Sequence, residues 1–168
     1  LVAPVLWALL TQQFVIALIL FAIAGLSDGL DGFLAKYYHW ESRLGSILDP
    51  LADKLLLVVS FAALVWLTLL PMWLLWLVLA RDLMIIVGAA AYHYWVGSYK
   101  LLPLWSSKVS TVLQIALVLL VLLQQQWLPQ LQSVVTVGIW LVMASVLNSG
   151  AEYIVVWRLR IWQKLKNQ

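Results

Sequence analysis

Long apolar runs broken by short polar clusters divide the chain, and each break predicts a turn between helices. Residues 1–10 are almost wholly apolar and end at Thr11-Gln12-Gln13. Crossing a bilayer takes about 20 apolar residues, so this run is expected to be the end of a helix that starts before Leu1. A signal peptide fits worse, because no charged leader or small-residue cleavage site is visible. From Phe14 an apolar run to Leu26 enters an acidic stretch, and its helix is predicted to continue to about Tyr38. His39-Trp40-Glu41-Ser42-Arg43 is the predicted connection, with Glu41 or Ser42 available to the free N–H groups of the next helix. That helix is expected from about Arg43 to Leu70, with Pro50 near its start, where the missing N–H costs least. Pro71 marks a turn. A fourth helix is predicted from Met72 to about Gly97 and a fifth from Trp105 to Leu123, joined by a polar loop through Pro103. Gln124 to Gln130 reads as an uncharged loop, Val134 to Trp157 as the last span, and Arg158, Arg160, Lys164 and Lys166 as a basic tail. The pattern predicts an all-α, polytopic integral membrane protein of about six transmembrane helices, the first truncated, with 1–168 as a single domain.

Composition strengthens the membrane reading. The 168 residues are 65% hydrophobic and 10% charged, with a mean hydropathy of +1.00. That balance suits apolar spans better than a soluble core. Cysteine is absent, which excludes disulfides, thiolate nucleophiles and zinc–thiolate sites. The net charge of +3 does not form a basic patch interleaved with aromatics, so nucleic acid is not an expected partner. Topology explains the charge better. With the turn at 38–43 facing the cytoplasm, the loop at 97–108 and the basic tail face it too, while the turns at 70–72 and 124–132 carry no Lys or Arg. This is the positive-inside asymmetry, and it places the acidic stretch on the cytoplasmic face, in a membrane expected to be a bacterial inner membrane.

The candidate chemistry lies in Asp28-x2-Asp31-Gly32-x2-Ala35-Lys36-x8-Gly45-x3-Asp49-x3-Asp53. Only seven residues of the chain are acidic, and four of them are these aspartates. Residues three or four apart share a helix face. Asp28 therefore groups with Asp31, and Asp49 with Asp53; antiparallel neighbouring helices would bring all four together. Uncompensated carboxylates at such spacing repel one another, so a cation is expected among them. Oxygen ligands without sulfur favour a hard divalent ion, Mg²⁺ or Mn²⁺ ahead of Ca²⁺. Two ions are plausible, as in two-metal phosphoryl displacement. Gly32 and Gly45 leave room for a ligand near the backbone, and Lys36 offers a point charge to a phosphate.

This spacing resembles the signature of the CDP-alcohol phosphatidyltransferases at every fixed position except Lys36, where that family usually has Arg. Lysine keeps the charge and loses the planar fork. The resemblance implies attack of an alcohol on a CDP-activated lipid, transfer of the phosphatidyl group, and departure of CMP. It implies that Asp28, Asp31, Asp49 and Asp53 hold the metal ions, with Asp53 also serving as the general base. Gly32, Ala35, Lys36 and Gly45 would surround the CDP moiety. A homodimer is implied by the family alone. Ala80-Arg81-Asp82 and Ser107-Lys108-x2-Thr111-x2-Gln114 resemble the branch that uses glycerol-type acceptors, closer to cardiolipin synthases, which use phosphatidylglycerol, than to phosphatidylglycerophosphate synthases, which use glycerol 3-phosphate. Arg81 and Lys108 suit an acceptor or lipid phosphate in either case.

Each of these residues also has a plainer reading. Arg81 and Asp82 within an apolar helix form a buried structural pair or line a cavity. Ser107 and Lys108 form an ordinary N-cap and membrane anchor. Lys54 is a snorkelling interfacial lysine, and His39 and His93 are interfacial loop and belt residues. Among other functions, an ion or proton transporter also keeps intramembrane carboxylates, but more often with broken helices and inverted repeats. A membrane prenyltransferase would carry two separate Asp-rich clusters. A purely structural membrane protein fits least, because four clustered acids are too unfavourable to keep without a role.

Overall fold

The computed structural model describes the backbone of residues 2–38, 45–96 and 105–166, and the side chains of residues 2–25, 27, 54–88, 105–156 and 158. These residues form six α-helices: α1 (Val2–Leu10), α2 (Phe14–Tyr38), α3 (Gly45–Trp66), α4 (Met72–Val96), α5 (Trp105–Gln126) and α6 (Gln132–Lys166). A single 3₁₀ turn, Pro129–Leu131, precedes α6. Strands are absent among the described residues, so the all-α expectation holds. α5 and the segment Pro129–Val156 are long and apolar enough to cross a membrane. α2, α3 and α4 are 25, 22 and 25 residues long, and apolar stretches of α2 and α3 run over Phe14–Gly25 and Lys54–Trp66.

Three predicted boundaries shift. α3 ends at Trp66, four residues before the expected Leu70. Thr68, at φ 59°, is its left-handed terminator. The Thr68 N–H donates to the Val65 carbonyl and the Leu69 N–H to the Leu64 carbonyl, both at 2.9 Å, the two bonds of a Schellman motif. The same motif ends α1: Gln12 has φ 57°, and the N–H groups of Gln12 and Gln13 donate to the carbonyls of Leu9 and Ala8 at 2.9 Å. α5 extends through Gln126, so the expected loop shrinks by three residues. Gln124 is buried and donates through Nε2 to Gln132 Oε1 across the turn. The basic tail is not a separate segment, because α6 continues without a break to Lys166.

The chain folds as two compact units, Leu1–Pro71 with Val118–Val135, and Met72–Leu117 with Thr136–Gln168. In the first, α1 packs on both α2 and α3. Its buried Val5, Ala8 and Leu9 meet a core that includes Ala17, Phe21 and Ala24 of α2 and Leu57, Phe61 and Leu64 of α3. Each triplet on α2 and α3 follows the i, i+4, i+7 spacing of one helix face. Small residues such as Ala8, Ala17 and Ala24 permit close approach between the helices.

The second unit is built from α4, residues 105–117 of α5 and residues 136–166 of α6. Its buried stripes change character along their length. α4 buries Leu74, Val78 and then Arg81, and α6 buries Val142, Val146 and then Ser149. On α5 the order is reversed, with Ser110 and Gln114 preceding Leu117. The helical period of the core thus passes through polar residues. Trp73 and Trp140 pack at 6.1 Å between ring centroids, tilted by 39°.

Candidate functional site

The four aspartates take their places from helix register. Positions 28 and 31 lie within α2 and positions 49 and 53 within α3, so each pair shares a face of its own helix. Gly32, Ala35 and Lys36 follow on α2, and Gly45 is the first residue of α3. The side chains of these eight residues lie outside the described ones, as do residues 39–44 and the loop at 97–104. The donor chemistry fits the expected metal: four carboxylates and no sulfur form an oxygen-only set of the kind that suits Mg²⁺, Mn²⁺ or Ca²⁺. Among the described side chains, no three His, Asp or Glu residues come together as a metal-ligand group.

Arg81 is described in full. Only 5% exposed, it lies at the point where the α4 stripe turns polar. Its Nη1 donates to Asp82 Oδ1 at 2.6 Å. Its Nη2 donates to Ser107 Oγ on α5 and to Ser149 Oγ on α6, both at 2.7 Å. The guanidinium therefore joins three helices, and the neighbouring carboxylate offsets its charge where burial of an unpaired ion would be strongly unfavourable. Its Nε is buried without a partner among the described atoms. Gly150, next to Ser149, faces the same helix, since a Cβ there would meet Met84 Cε at 3.4 Å.

Lys108 occupies the first turn of α5. It is exposed, and its Nζ lies 5.5 Å from the centroid of the Trp105 ring, within cation–π range. The same turn carries Ser106, whose hydroxyl is buried without a partner among the described atoms, and the free N–H groups of a helix start. A lysine, an unpartnered hydroxyl and a helix N-terminus make this turn suited to an anion. Deeper in the unit, Gln114 Nε2 donates to Ser110 Oγ at 3.2 Å. Ser145 Oγ donates to the Val142 carbonyl at 2.8 Å and lies 3.3 Å from Ser110 Oγ. Thr111 Oγ1 donates to the Ser107 carbonyl at 3.1 Å, which leaves Ser107 Oγ to Arg81.

The expected pairing of Arg81 with Asp82 is present. Reading the sequence alone missed Ser149 as a partner of Arg81, and it missed Ser110 and Ser145 altogether. Ser149 is 68 residues from Arg81, and no local spacing connects them. The available signal was the helical period, which puts Ser145 and Ser149 on one face of α6, opposite the usual preference for apolar residues there.

A family model described as CDP-alcohol phosphatidyltransferase matches residues 1–149. A human protein named cardiolipin synthase (CMP-forming) is 37% identical over 133 residues, covering 69% of this chain and 44% of the relative. A protein of Oryza sativa subsp. japonica named CDP-diacylglycerol–glycerol-3-phosphate 3-phosphatidyltransferase 1, chloroplastic, is 35% identical over 170 residues, covering 90% of this chain and 52% of the relative. A Streptomyces coelicolor cardiolipin synthase (CMP-forming) is 44% identical over 71 residues, 42% of this chain and 33% of that protein. The chain thus spans about half the length, or less, of these relatives.

Proposed function

The chain belongs to the CDP-alcohol phosphatidyltransferase family, and from that premise we propose that it transfers the phosphatidyl group of CDP-diacylglycerol to a glycerol-type alcohol. The observation that carries this reading is the aspartate pattern in helical register on α2 and α3, inside the stretch matched by the family model. That one family model runs through both compact units supports reading 1–168 as a single domain.

Asp28, Asp31, Asp49 and Asp53 would hold one or two Mg²⁺ or Mn²⁺ ions. Bound there, such ions would supply charge neutralisation for the pyrophosphate and for the departing nucleotide. Asp53 accepts the proton of the acceptor hydroxyl, a general-base contribution of about 10²–10⁴-fold. The hydroxyl oxygen forms the new bond to the phosphorus carried by diacylglycerol, and the bond from that phosphorus to CMP breaks. Gly32 and Gly45 admit the nucleotide close to the backbone, Ala35 lines the same helix, and Lys36 meets a phosphate as a point charge. Lys108 and Arg81 receive the anionic phosphate of the acceptor or lipid.

Phosphatidylglycerol is the favoured acceptor, giving cardiolipin and CMP, and glycerol 3-phosphate is the alternative. Relatives named for each product match the chain at similar identity, so the choice rests on the Ala80-Arg81-Asp82 and Ser107-Lys108 pattern. The protein works as a homodimer of polytopic chains, with α2 to α6 as its full crossings and its site at the cytoplasmic face that carries the basic end of α6. The decisive experiment measures CMP release by purified protein from CDP-diacylglycerol, with phosphatidylglycerol or glycerol 3-phosphate as acceptor, and with Mg²⁺, Mn²⁺ or EDTA. Metal-dependent release with phosphatidylglycerol alone supports cardiolipin synthesis. Release with glycerol 3-phosphate alone moves the chain to phosphatidylglycerophosphate synthesis. No binding of CDP-diacylglycerol under any condition overturns the transferase reading in favour of an ion or proton transporter.

A further inference from the structure

We propose that Ser149, acting with Ser107, is a positioning residue that sets which donor of Arg81 faces an anionic acceptor. The proposal rests on the reading of Arg81 given above. A guanidinium has five N–H donors arranged in a rigid plane. Both donors of Nη2 are engaged, one by Ser107 on α5 and the other by Ser149 on α6, and Nη1 is engaged by Asp82. Three anchors in three directions fix the plane. The buried Nε–H is left without a partner among the described atoms. Leaving such a donor unsatisfied is unfavourable, so this edge is where an acceptor oxygen gains most.

Held this way, Arg81 cannot present the two-pronged edge of Nε and Nη2 that arginine commonly offers a phosphate. On that edge it offers Nε–H alone, in a direction set by the serines, while the second Nη1–H lies on another edge of the plane. Ser149 is wholly buried, while Ser107 is only partly so. Ser149 thus lies beyond reach of solvent, and no water competes for Nη2 from its side. Its removal frees a guanidinium proton and lets the plane turn about its remaining bonds to Ser107 and Asp82. Orientation of a binding group is felt chiefly in ground-state affinity when the reacting atoms are untouched. Ser149 therefore acts on acceptor binding and not on the bond-forming step at Asp53.

The test compares Ser149→Ala, Ser149→Thr, Ser107→Ala and Arg81→Gln in the CMP-release assay, with phosphatidylglycerol and with glycerol 3-phosphate varied in turn at saturating CDP-diacylglycerol. Ser149→Ala is expected to raise KM for the working acceptor roughly tenfold, the size of one hydrogen bond to a charged group, with kcat changed less than about threefold. Ser149→Thr keeps the hydroxyl and restores KM. Should threonine not fit beside Gly150, Ser107→Ala reports on the same nitrogen from the other helix and raises KM in the same direction. A Ser149→Ala protein that loses kcat, CDP-diacylglycerol affinity and thermal stability together has only a structural serine, and the proposal is overturned. Acceptor KM unchanged in Ser149→Ala but raised in Arg81→Gln also overturns it while sparing the role of Arg81. Acceptor KM unchanged in Arg81→Gln removes Arg81 from acceptor binding and the proposal with it.

Discussion

Asp49 and Asp53 lie four residues apart on α3, about 6 Å along its axis, and their proposed roles separate by substitution. An amide keeps the shape of Asp53 but cannot take a proton from the acceptor hydroxyl. Asp53→Asn is expected to lower CMP release by about 10²–10⁴-fold while Mg²⁺-dependent binding of CDP-diacylglycerol persists. Equilibrium binding measured beside turnover decides the matter, since loss of both together makes Asp53 chiefly a metal ligand. Asp49→Asn is expected to lose both. Lys36 is the other informative position, because its charge agrees with the family pattern and its shape does not. Lys36→Arg should leave KM for CDP-diacylglycerol equal or a few-fold lower, because arginine adds a fork without changing charge. Lys36→Gln should raise it, and steady-state kinetics with CDP-diacylglycerol varied would expose a lysine that touches no phosphate.

At the level of the helices, termination is where sequence and structure part. The body of each helix was legible, because runs such as 72–96 and 105–123 leave no alternative at their length and hydropathy. Ends defined by glycine or proline are also legible, but Thr68 is a β-branched residue in a left-handed conformation, for which composition gives no warning. Apolar Leu69 and Leu70 then continue the pattern past the true end. Gln124–Gln126 misled in the opposite sense. Glutamine is a good helix former, and the bond from Gln124 to Gln132 makes a polar triplet part of α5. The candidate site divides along the same line. The aspartate pattern is an expectation that local spacing alone supplies, whereas Ser149 meets Arg81 only through tertiary packing. Thr68 carries its own prediction. A left-handed L-residue is unfavourable by about 1–2 kcal/mol, and glycine removes that strain while adding freedom to the unfolded chain. Thr68→Gly is expected to stabilise the protein by about 0.5–1 kcal/mol, read as a higher midpoint of thermal unfolding in detergent. A lower midpoint would show that the threonine side chain makes a compensating contact.

Across the whole molecule, charge distribution and helix count make a joint claim about topology. Of ten basic residues, all but Lys54 and Arg81 fall near the turn at 38–45, the loop at 97–108 or the end of α6. If α3 to α6 all cross, as proposed, four crossings separate the first of these from the last, and an even count puts them on one face. Length and apolar character alone single out just α5 and the segment Pro129–Val156. With only those two crossings, the basic regions would still share a face, so positive charge by itself does not choose between the topologies. Thr68 does, because four crossings put it opposite residue 42, whereas two crossings leave it on the same face. The chain has no cysteine, so single-cysteine variants can be labelled without background. In membrane vesicles of defined orientation, Ser42→Cys, Ser98→Cys and Gln168→Cys are expected to react with an impermeant maleimide from the cytoplasmic face, and Thr68→Cys and Gln130→Cys from the opposite face. Labelling of Thr68→Cys together with Ser42→Cys would withdraw α3 and α4 from the membrane. The Arg81–Asp82 pair would then belong to an interface outside lipid.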